Sequence, residues 1–383
     1  MICSRRRYLE AMAVSVTVIG AGAFGGWTAL NLLRAGAQVT LVDAWGPGNS
    51  RASSGDETRV IRASYGPNKV YTELVARAIP LWKENEQRWN TKLLHQNGVL
   101  WMAAANDTYE KASLENICRM GMAHEVISAA EGRRRWPQMN WDGLTWGLHE
   151  KEAGYLLARR SCQAVMEGFL AENGVYVQAC VQPEELASFP ADVYVFACGP
   201  WLSELFPDVL GARITPTRQE TFYFGTPAGD TRFNADRFPT WVDNSPVRFY
   251  GIPGNEWRGF KVAQDTPGKT FDPTYGERTV TAEGVTSIRK YLAHRFPSLR
   301  DAPLIESRVC QYEMSPDGGL IVDRHPARDN IWLAGGGSGH GFKLGPAVGE
   351  HVAQLVLGKA KVKPEFGLAR LAKADAEQVS WRM

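Results

Sequence analysis

The stretch Val14-Ser15-Val16-Thr17-Val18-Ile19-Gly20-Ala21-Gly22-Ala23-Phe24-Gly25 decides the fold. Its first half has the β-branched composition of a strand. Its second half is a G-x-G-x-x-G turn, after which Trp27, Leu30 and Leu33 recur at helical spacing. In such a turn Gly20 permits the sharp reversal, Gly22 lets backbone N–H groups approach a pyrophosphate, and Gly25 lets the helix pack on the strand. The contact residues of this turn are therefore Gly20, Gly22, Ala23, Phe24 and Gly25. Downstream, Val39-Thr40-Leu41-Val42 predicts a second strand ending in Asp43, placed to accept the ribose hydroxyls of an adenosine. Asp43 disfavours a 2′-phosphate, so NAD or FAD is preferred to NADP.

Upstream, the segment from Ala11 to Leu33 carries no charge and follows Arg5-Arg6-Arg7, which on hydropathy alone suggests a membrane helix. Ser4-Arg5-Arg6-Arg7-Tyr8-Leu9 also resembles a twin-arginine export signal. Either use of the segment would remove the first strand of the nucleotide fold, so residues 1–12 are read as an extension or misplaced start. A cytoplasmic location is expected, with twin-arginine export as the alternative.

After Asp43 comes a Gly- and Ser-rich loop, Ala44 to Asp56, suited to running past an extended cofactor rather than to a regular βα unit. Further strand-like segments return far downstream. Val193–Ala197 precedes Cys198-Gly199-Pro200-Trp201, and Ile331–Ala334 opens onto Gly335-Gly336-Gly337-Ser338-Gly339. The expected organisation is an α/β Rossmann-like nucleotide-binding domain, discontinuous over 13–90, 150–212 and 300–365. A second, mostly antiparallel-sheet substrate domain covers 91–149 and 213–299. Its markers are strand-like Glu220–Phe224 and Val247–Tyr250 and a helix near 283–295. The tail, 366–383, reads as a helical end on the surface.

Composition narrows the function classes. Of 383 residues, 44% are hydrophobic and 22% charged, which excludes general disorder. With 43 basic against 41 acidic residues the net charge is +2, so nothing points to nucleic acid, and Arg133-Arg134-Arg135 reads as a solvated face. The 6 cysteines are scattered without a C-x-x-C, which fits a reducing compartment and leaves no expected metal site.

The chain resembles a known family, the FAD-dependent amine oxidases typified by monomeric sarcosine oxidase and N-methyltryptophan oxidase. The resemblance rests on Gly20–Gly25, on Thr58-Arg59-Val60-Ile61-Arg62, on Phe260-Lys261-Val262, on Val309-Cys310-Gln311-Tyr312-Glu313-Met314-Ser315-Pro316-Asp317, and on Gly337–Leu344. It implies that the nucleotide domain is an FAD-binding Rossmann-like fold of the glutathione-reductase type, with FAD attached through an 8α-S-cysteinyl thioether at Cys310. It implies Lys261 over the flavin, where fixed positive charge assists O2 reduction, and Arg59 against the flavin ring. Arg62 and Lys343 are implied as the pair holding a substrate carboxylate, a planar fork plus a point charge.

By the same resemblance Tyr312, Tyr250 and Trp241 line the amine pocket, with an ordinary core aromatic as the alternative for Trp241. His340 lies beside the flavin's carbonyl edge, where it either acts or packs. The turn from Gly341 to Gly345 supplies dipoles there. Ser53, Thr58, Val181, Gly199, Trp201, Gly337, Gly339, Gly341 and Phe342 complete the implied cofactor contacts. Where the family often has a His-containing segment after the lysine, this chain has Gln264-Asp265, which leaves the substrate open.

The implied reaction is oxidation of a secondary amine or N-substituted amino acid, with O2 as co-substrate and H2O2 as product. No membrane partner is implied and a monomer is expected. Alternatives are a fructosyl-amine (deglycating) or other amino-acid oxidase, a flavin dehydrogenase using another acceptor, and a non-catalytic nucleotide-binding module.

Overall fold

In a computed structural model, which describes residues 13–245 and 247–371, the strand Ser15–Ile19 runs through the glycine turn into the helix Ala23–Arg34. Gly20 has φ of +103°, and a Cβ on it would stand 2.4 Å from the carbonyl oxygen of Ala197. Only glycine satisfies both conditions. A Cβ on Gly25 would stand 1.7 Å from the Gly20 carbonyl oxygen, so the first turn of the helix sits directly on the strand end.

That strand is inside a six-stranded sheet. The order is Ile321–Arg324, Ile331–Gly335, Val193–Phe196, Ser15–Ile19, Gln38–Asp43, Val175–Gln178, all parallel except the first pair. Its apolar residues are buried on both faces, as a parallel sheet demands. On one face Val16, Val18 and Leu41 meet the helices Ala23–Arg34, Ala158–Ala171 and Gly345–Val356. On the other Ile19, Val42 and Phe196 meet Leu202, Phe206 and Leu210. Val193–Phe196 and Ile331–Gly335 return to the sheet beside the glycine turn, as the sequence predicted.

A second sheet has eight strands in the order Leu304–Met314, Thr215–Phe224, Phe260–Gln264, Phe249–Ile252, Thr240–Asp243, Val99–Ala103, Trp146–Glu150, His124–Ser128. It is antiparallel except where Thr240–Asp243 runs beside Val99–Ala103. One face is covered by the helix Ala282–Arg295, whose Ile288 and Leu292 join Phe222, Phe224, Trp241 and Phe260 in an aromatic core. A buried ion pair, Arg295 to Asp243 at 2.9 Å, joins helix to sheet, with Tyr291 donating to the same carboxylate at 3.0 Å. A small sheet, Leu94–His95, Gly154–Leu157 and Thr58–Ile61, carries the Thr58–Arg62 motif.

Three expectations shift. The strand sought at Val247–Tyr250 is Phe249–Ile252, because the residues before it turn, with Ser245 N–H donating to Asp243 Oδ1 at 3.1 Å. Leu304–Met314, grouped by sequence with the nucleotide-binding pieces, is hydrogen-bonded along Thr215–Phe224 in the large sheet. The described part of the tail, residues 366–371, packs inward instead of lying wholly on the surface as read. Phe366 and Leu371 are buried in the apolar clusters, and Arg370 pairs with Asp317 at 2.7 Å. Residues 1–12, with their Arg5-Arg6-Arg7 run, and residues 372–383 lie outside the described residues. Among those described, no helix is long and apolar enough to cross a membrane.

Candidate active site

A cavity extends from the glycine turn to the large sheet, and its two ends are built differently. Gly20, Gly22, Ala23, Phe24, Asp43, Ser53, Val181, Gly199 and Trp201 line the first. Helix Ala23–Arg34 begins at Gly22 with no side-chain cap, so the N–H groups of its first turn have no side-chain acceptor there. A Cβ on Gly22 would meet nothing nearer than Ser54 Oγ at 3.5 Å, which leaves room for close approach. Asp43 accepts from Ala21 N–H at 2.7 Å and from Gly46 N–H at 2.7 Å, which fixes its carboxylate at the rim. Trp45 and Trp201, with ring centroids 5.0 Å apart, flank the same end. Bare helix terminus, glycine backbone and terminal carboxylate together fit a long dinucleotide of the FAD kind.

The other end is built of buried charge. Arg62 and Lys343, far apart in sequence, both reach the Tyr65 ring, at 4.4 and 5.1 Å from its centroid, and both line the cavity. Arg62 donates to the Ser64 carbonyl, and Lys343 to the His340 carbonyl at 2.8 Å. Burial opposes the Arg62 charge, but Tyr109, Tyr65, Asp265 and Glu150 together more than offset it. Glu150 organises this wall, accepting from Ala63 N–H at 2.6 Å, Ser64 Oγ at 2.6 Å and Trp101 Nε1 at 2.9 Å. Across the cavity Tyr312 donates to Asp265 at 3.1 Å, and Tyr250 and Arg248 complete the lining.

Between the two ends lies an ionic cluster centred on Asp56. Arg59 and Lys261 both donate to its Oδ2, the lysine at 2.5 Å, and Tyr223 donates to its Oδ1 at 2.9 Å. Burial alone would raise the Asp56 pKa. Lys261 and Arg59 overcome that and hold it well below the usual carboxylate range. Arg59 also donates to the Ser53 carbonyl at 2.8 Å and to Cys310 Sγ at 2.9 Å. Cys310 lines a small hollow that shares Arg59, Tyr250 and Tyr312 with the main cavity.

Several expected contacts fall elsewhere. Trp241 is fully buried on the opposite face of the large sheet, stacked near Phe260 and Tyr291, while its neighbour Val242 lines the cavity. Strand alternation sends successive side chains to opposite faces, so one position decides the matter. Thr58 contributes its carbonyl to Lys261 at 2.9 Å, but its side chain does not line the cavity. Gly25 packs helix on strand instead of lining the groove, because the preceding residues of the turn form the wall. Lys261 likewise stands behind the wall, its ammonium drawn to Asp56.

His340 lines the cavity with Gly337, Gly339, Gly341 and Phe342, but its ring is committed. Nδ1 faces Tyr65 Oη at 3.1 Å and Nε2 faces the Gly318 carbonyl at 3.1 Å. The sequence reading missed Asp56, Glu150, Arg248 and Glu313. Asp56, three residues before Arg59, and Glu313, inside the Val309–Asp317 motif, had a local signal in their place beside residues already singled out, whereas Glu150 and Arg248 had none.

Residues 15–355 match the family of FAD dependent oxidoreductases abbreviated DAO. The chain belongs to this family. A member of it uses FAD, and the groove described above is where this chain would hold it. Monomeric sarcosine oxidase of Streptomyces avermitilis is 30% identical over 380 residues, covering 94% of this chain and 98% of the relative. N-methyl-L-tryptophan oxidase of Yersinia pestis is 27% identical over 386 residues, covering 94% and 100%. Among solved structures, L-proline dehydrogenase from P. horikoshii superposes with a TM-score of 0.81 at 18% identity, over 94% of this chain and 98% of that one. That last likeness concerns the fold.

Proposed function

We propose that this DAO-family member is an FAD-dependent oxidase of a secondary amine or N-substituted amino acid. The observation that carries the reading is the convergence of Arg62 and Lys343 on the Tyr65 ring at the cavity end remote from the dinucleotide groove. A buried guanidinium beside an ammonium is a receptor for a carboxylate, and holding that group fixes the position of the carbon beside nitrogen. The relatives' names, sarcosine oxidase and N-methyl-L-tryptophan oxidase, agree with such a substrate.

Bound FAD would supply the redox chemistry, a two-electron acceptor for the carbon next to nitrogen that O2 can reoxidise. One amine, one O2 and one water then give one carbonyl compound, one dealkylated amine and one H2O2. Tyr250 and Tyr312 exclude water and favour the neutral amine, the form whose lone pair is free to assist C–H cleavage. Arg59, Asp56 and Lys261 together leave one net positive charge near the cavity, suited to stabilising negative charge that develops on the cofactor or on O2. Arg59 at 2.9 Å from Cys310 Sγ supports Cys310 as the attachment point, since the guanidinium stabilises charge on an attacking sulfur. The same reading has a monomeric, cytoplasmic enzyme.

The test is a panel of N-methyl, cyclic and glycated amino acids with a peroxide readout, repeated with Arg62→Gln. Loss of that arginine should cost a carboxylate substrate about 100-fold in kcat/KM, in line with about 1.5–3 kcal/mol for a charge-assisted hydrogen bond. The same amine without its carboxylate should be unaffected. Equal losses for both would remove Arg62 from substrate binding. Flavin reduced by amine but reoxidised only by a dye or quinone would favour a dehydrogenase, a reading that the pairing of Lys261 with Asp56 keeps in view. Acid precipitation of the holoprotein tests the thioether, because flavin left in the supernatant excludes it.

A further inference from the structure

One acidic residue of the cavity has no part in the scheme above. Glu313 follows Tyr312 at the end of the strand Leu304–Met314, lines the cavity and is 7% exposed. Its Oε1 accepts from Gly337 N–H at 3.0 Å, while its Oε2 has no hydrogen-bond partner among the described residues. Two glycines, Gly335 and Gly199, lie close to that free oxygen. A Cβ on Gly335 would stand 3.3 Å from it and one on Gly199 3.7 Å. Gly199, at the dinucleotide end, and Gly337 both line the cavity, so the unpaired oxygen lies against its wall.

A buried carboxylate with one oxygen unsatisfied is costly, and the inexpensive solution is to keep the proton and offer it as a hydrogen bond. Burial pushes Glu313 up to about 7, with the Gly337 and Gly336 N–H groups pulling the other way. No neighbouring charge enters among these causes. The titratable group packed beside it is the Cys198 thiol, which burial, Asp43, Cys180 and Glu313 itself all keep protonated. From the Gly335–Gly341 side Gly337 N–H reaches its carboxylate and Ser338 N–H donates to its carbonyl at 3.2 Å. FAD carries phosphate, hydroxyl and ring-carbonyl oxygens, all able to accept a hydrogen bond.

We propose that Glu313 binds FAD as a neutral carboxylic acid, donating from Oε2 to an oxygen of the cofactor in the groove between Gly199 and Gly337. Its ionised form would set a second negative charge against an anionic dinucleotide and would bind it poorly. FAD affinity is therefore linked to one proton on this side chain.

The linkage is measurable in the full-length Cys310→Ala protein, where no thioether can hide dissociation. The Kd for FAD, from flavin fluorescence between pH 6 and 9, should rise above about pH 7 by up to about tenfold per pH unit. In the added presence of Glu313→Gln, whose amide still donates, the profile should be flat and the affinity close to the low-pH value. Glu313→Ala should bind weakly at every pH. Parallel profiles with and without Glu313→Gln would overturn the proposal. Infrared spectra of the wild-type holoprotein give a second readout that does not depend on the Cys310 variant. A protonated-carboxyl band at pH 6 that is missing in Glu313→Gln is expected, and an unchanged band would also overturn it.

Discussion

The two ends of the cavity show two ways of making a binding site. The dinucleotide end is made largely of backbone: Gly20, Gly22 and the bare N-terminus of Ala23–Arg34, whose shape follows from a dozen adjacent residues, joined by Gly199. The substrate end is made of buried charges drawn from remote parts of the chain. Arg62 follows a strand of the small sheet, Lys343 comes from the turn before Gly345–Val356, Tyr312 comes from the large sheet and Asp265 follows its strand Phe260–Gln264. A backbone site tolerates no added atoms, whereas a charge site tolerates no unpaired partner. Substitutions should therefore fail for different reasons at the two ends.

The largest effect is expected at the backbone end. Gly25→Val would drive a side chain into the Gly20 carbonyl, 1.7 Å from where a Cβ would stand. It should abolish flavin retention and destabilise the protein by about 3 kcal/mol or more, beyond ordinary overpacking. Flavin absorbance per protein and a denaturant melt check this, and normal flavin content would break the contrast drawn above.

Next comes the ionic cluster. Asp56→Asn leaves Lys261 and Arg59 buried without their counter-charge and should cost about 3–5 kcal/mol, whereas Asp56→Asn with Lys261→Met should recover much of it. The sign with pH follows from the depressed Asp56 pKa. Its contribution is fully present above the ordinary carboxylate range and is lost as pH falls through that range and below. Acid unfolding curves of wild type and variant should therefore converge at low pH. A constant gap between them would assign the loss to packing rather than charge.

A smaller effect is expected at His149, on the strand Trp146–Glu150 of the large sheet. Burial lowers its pKa to about 4, and neither ring nitrogen has a partner among the described residues. The folded state keeps it neutral while the unfolded chain protonates it near 6.5, so stability falls as pH drops below that value. Between pH 7 and 5 the loss should be about 2 kcal/mol, and His149→Gln should remove it. Urea melts at the two pH values give the number.

The smallest change sharpens the boundary of the substrate end. Trp241→Phe should alter KM for the best substrate by less than about twofold and stability by about 1–2 kcal/mol, because the ring packs with Phe260, Tyr291 and Phe296 behind the sheet. A large KM change with unaltered stability would return Trp241 to the cavity wall.

What was legible in the sequence follows the same division. The glycine turn, Asp43 and the strands returning at Val193–Phe196 and Ile331–Gly335 were readable because each is a short-range pattern with a backbone consequence. Resemblance supplied Arg62, Lys343, Tyr250 and Tyr312, and all of these line the cavity. Misplacements came where a facing decision or a long-range partner mattered. Trp241 faces away through alternation, and Lys261 stands behind the wall because Asp56 draws its ammonium there. Tail residues Phe366 and Leu371 have no local pattern announcing their burial.

The sequence by itself determined a dinucleotide fold, since the strand, glycine turn and helix spacing are local steric facts, and the choice of FAD rested on the family resemblance. Only the tertiary structure decided which charges meet. Asp56 lies between Arg59 and Lys261, Arg62 and Lys343 converge on Tyr65, and the unpaired oxygen of Glu313 lies against the cavity wall. The energy of a buried charge is set by its neighbours in space, and chain order does not record those neighbours.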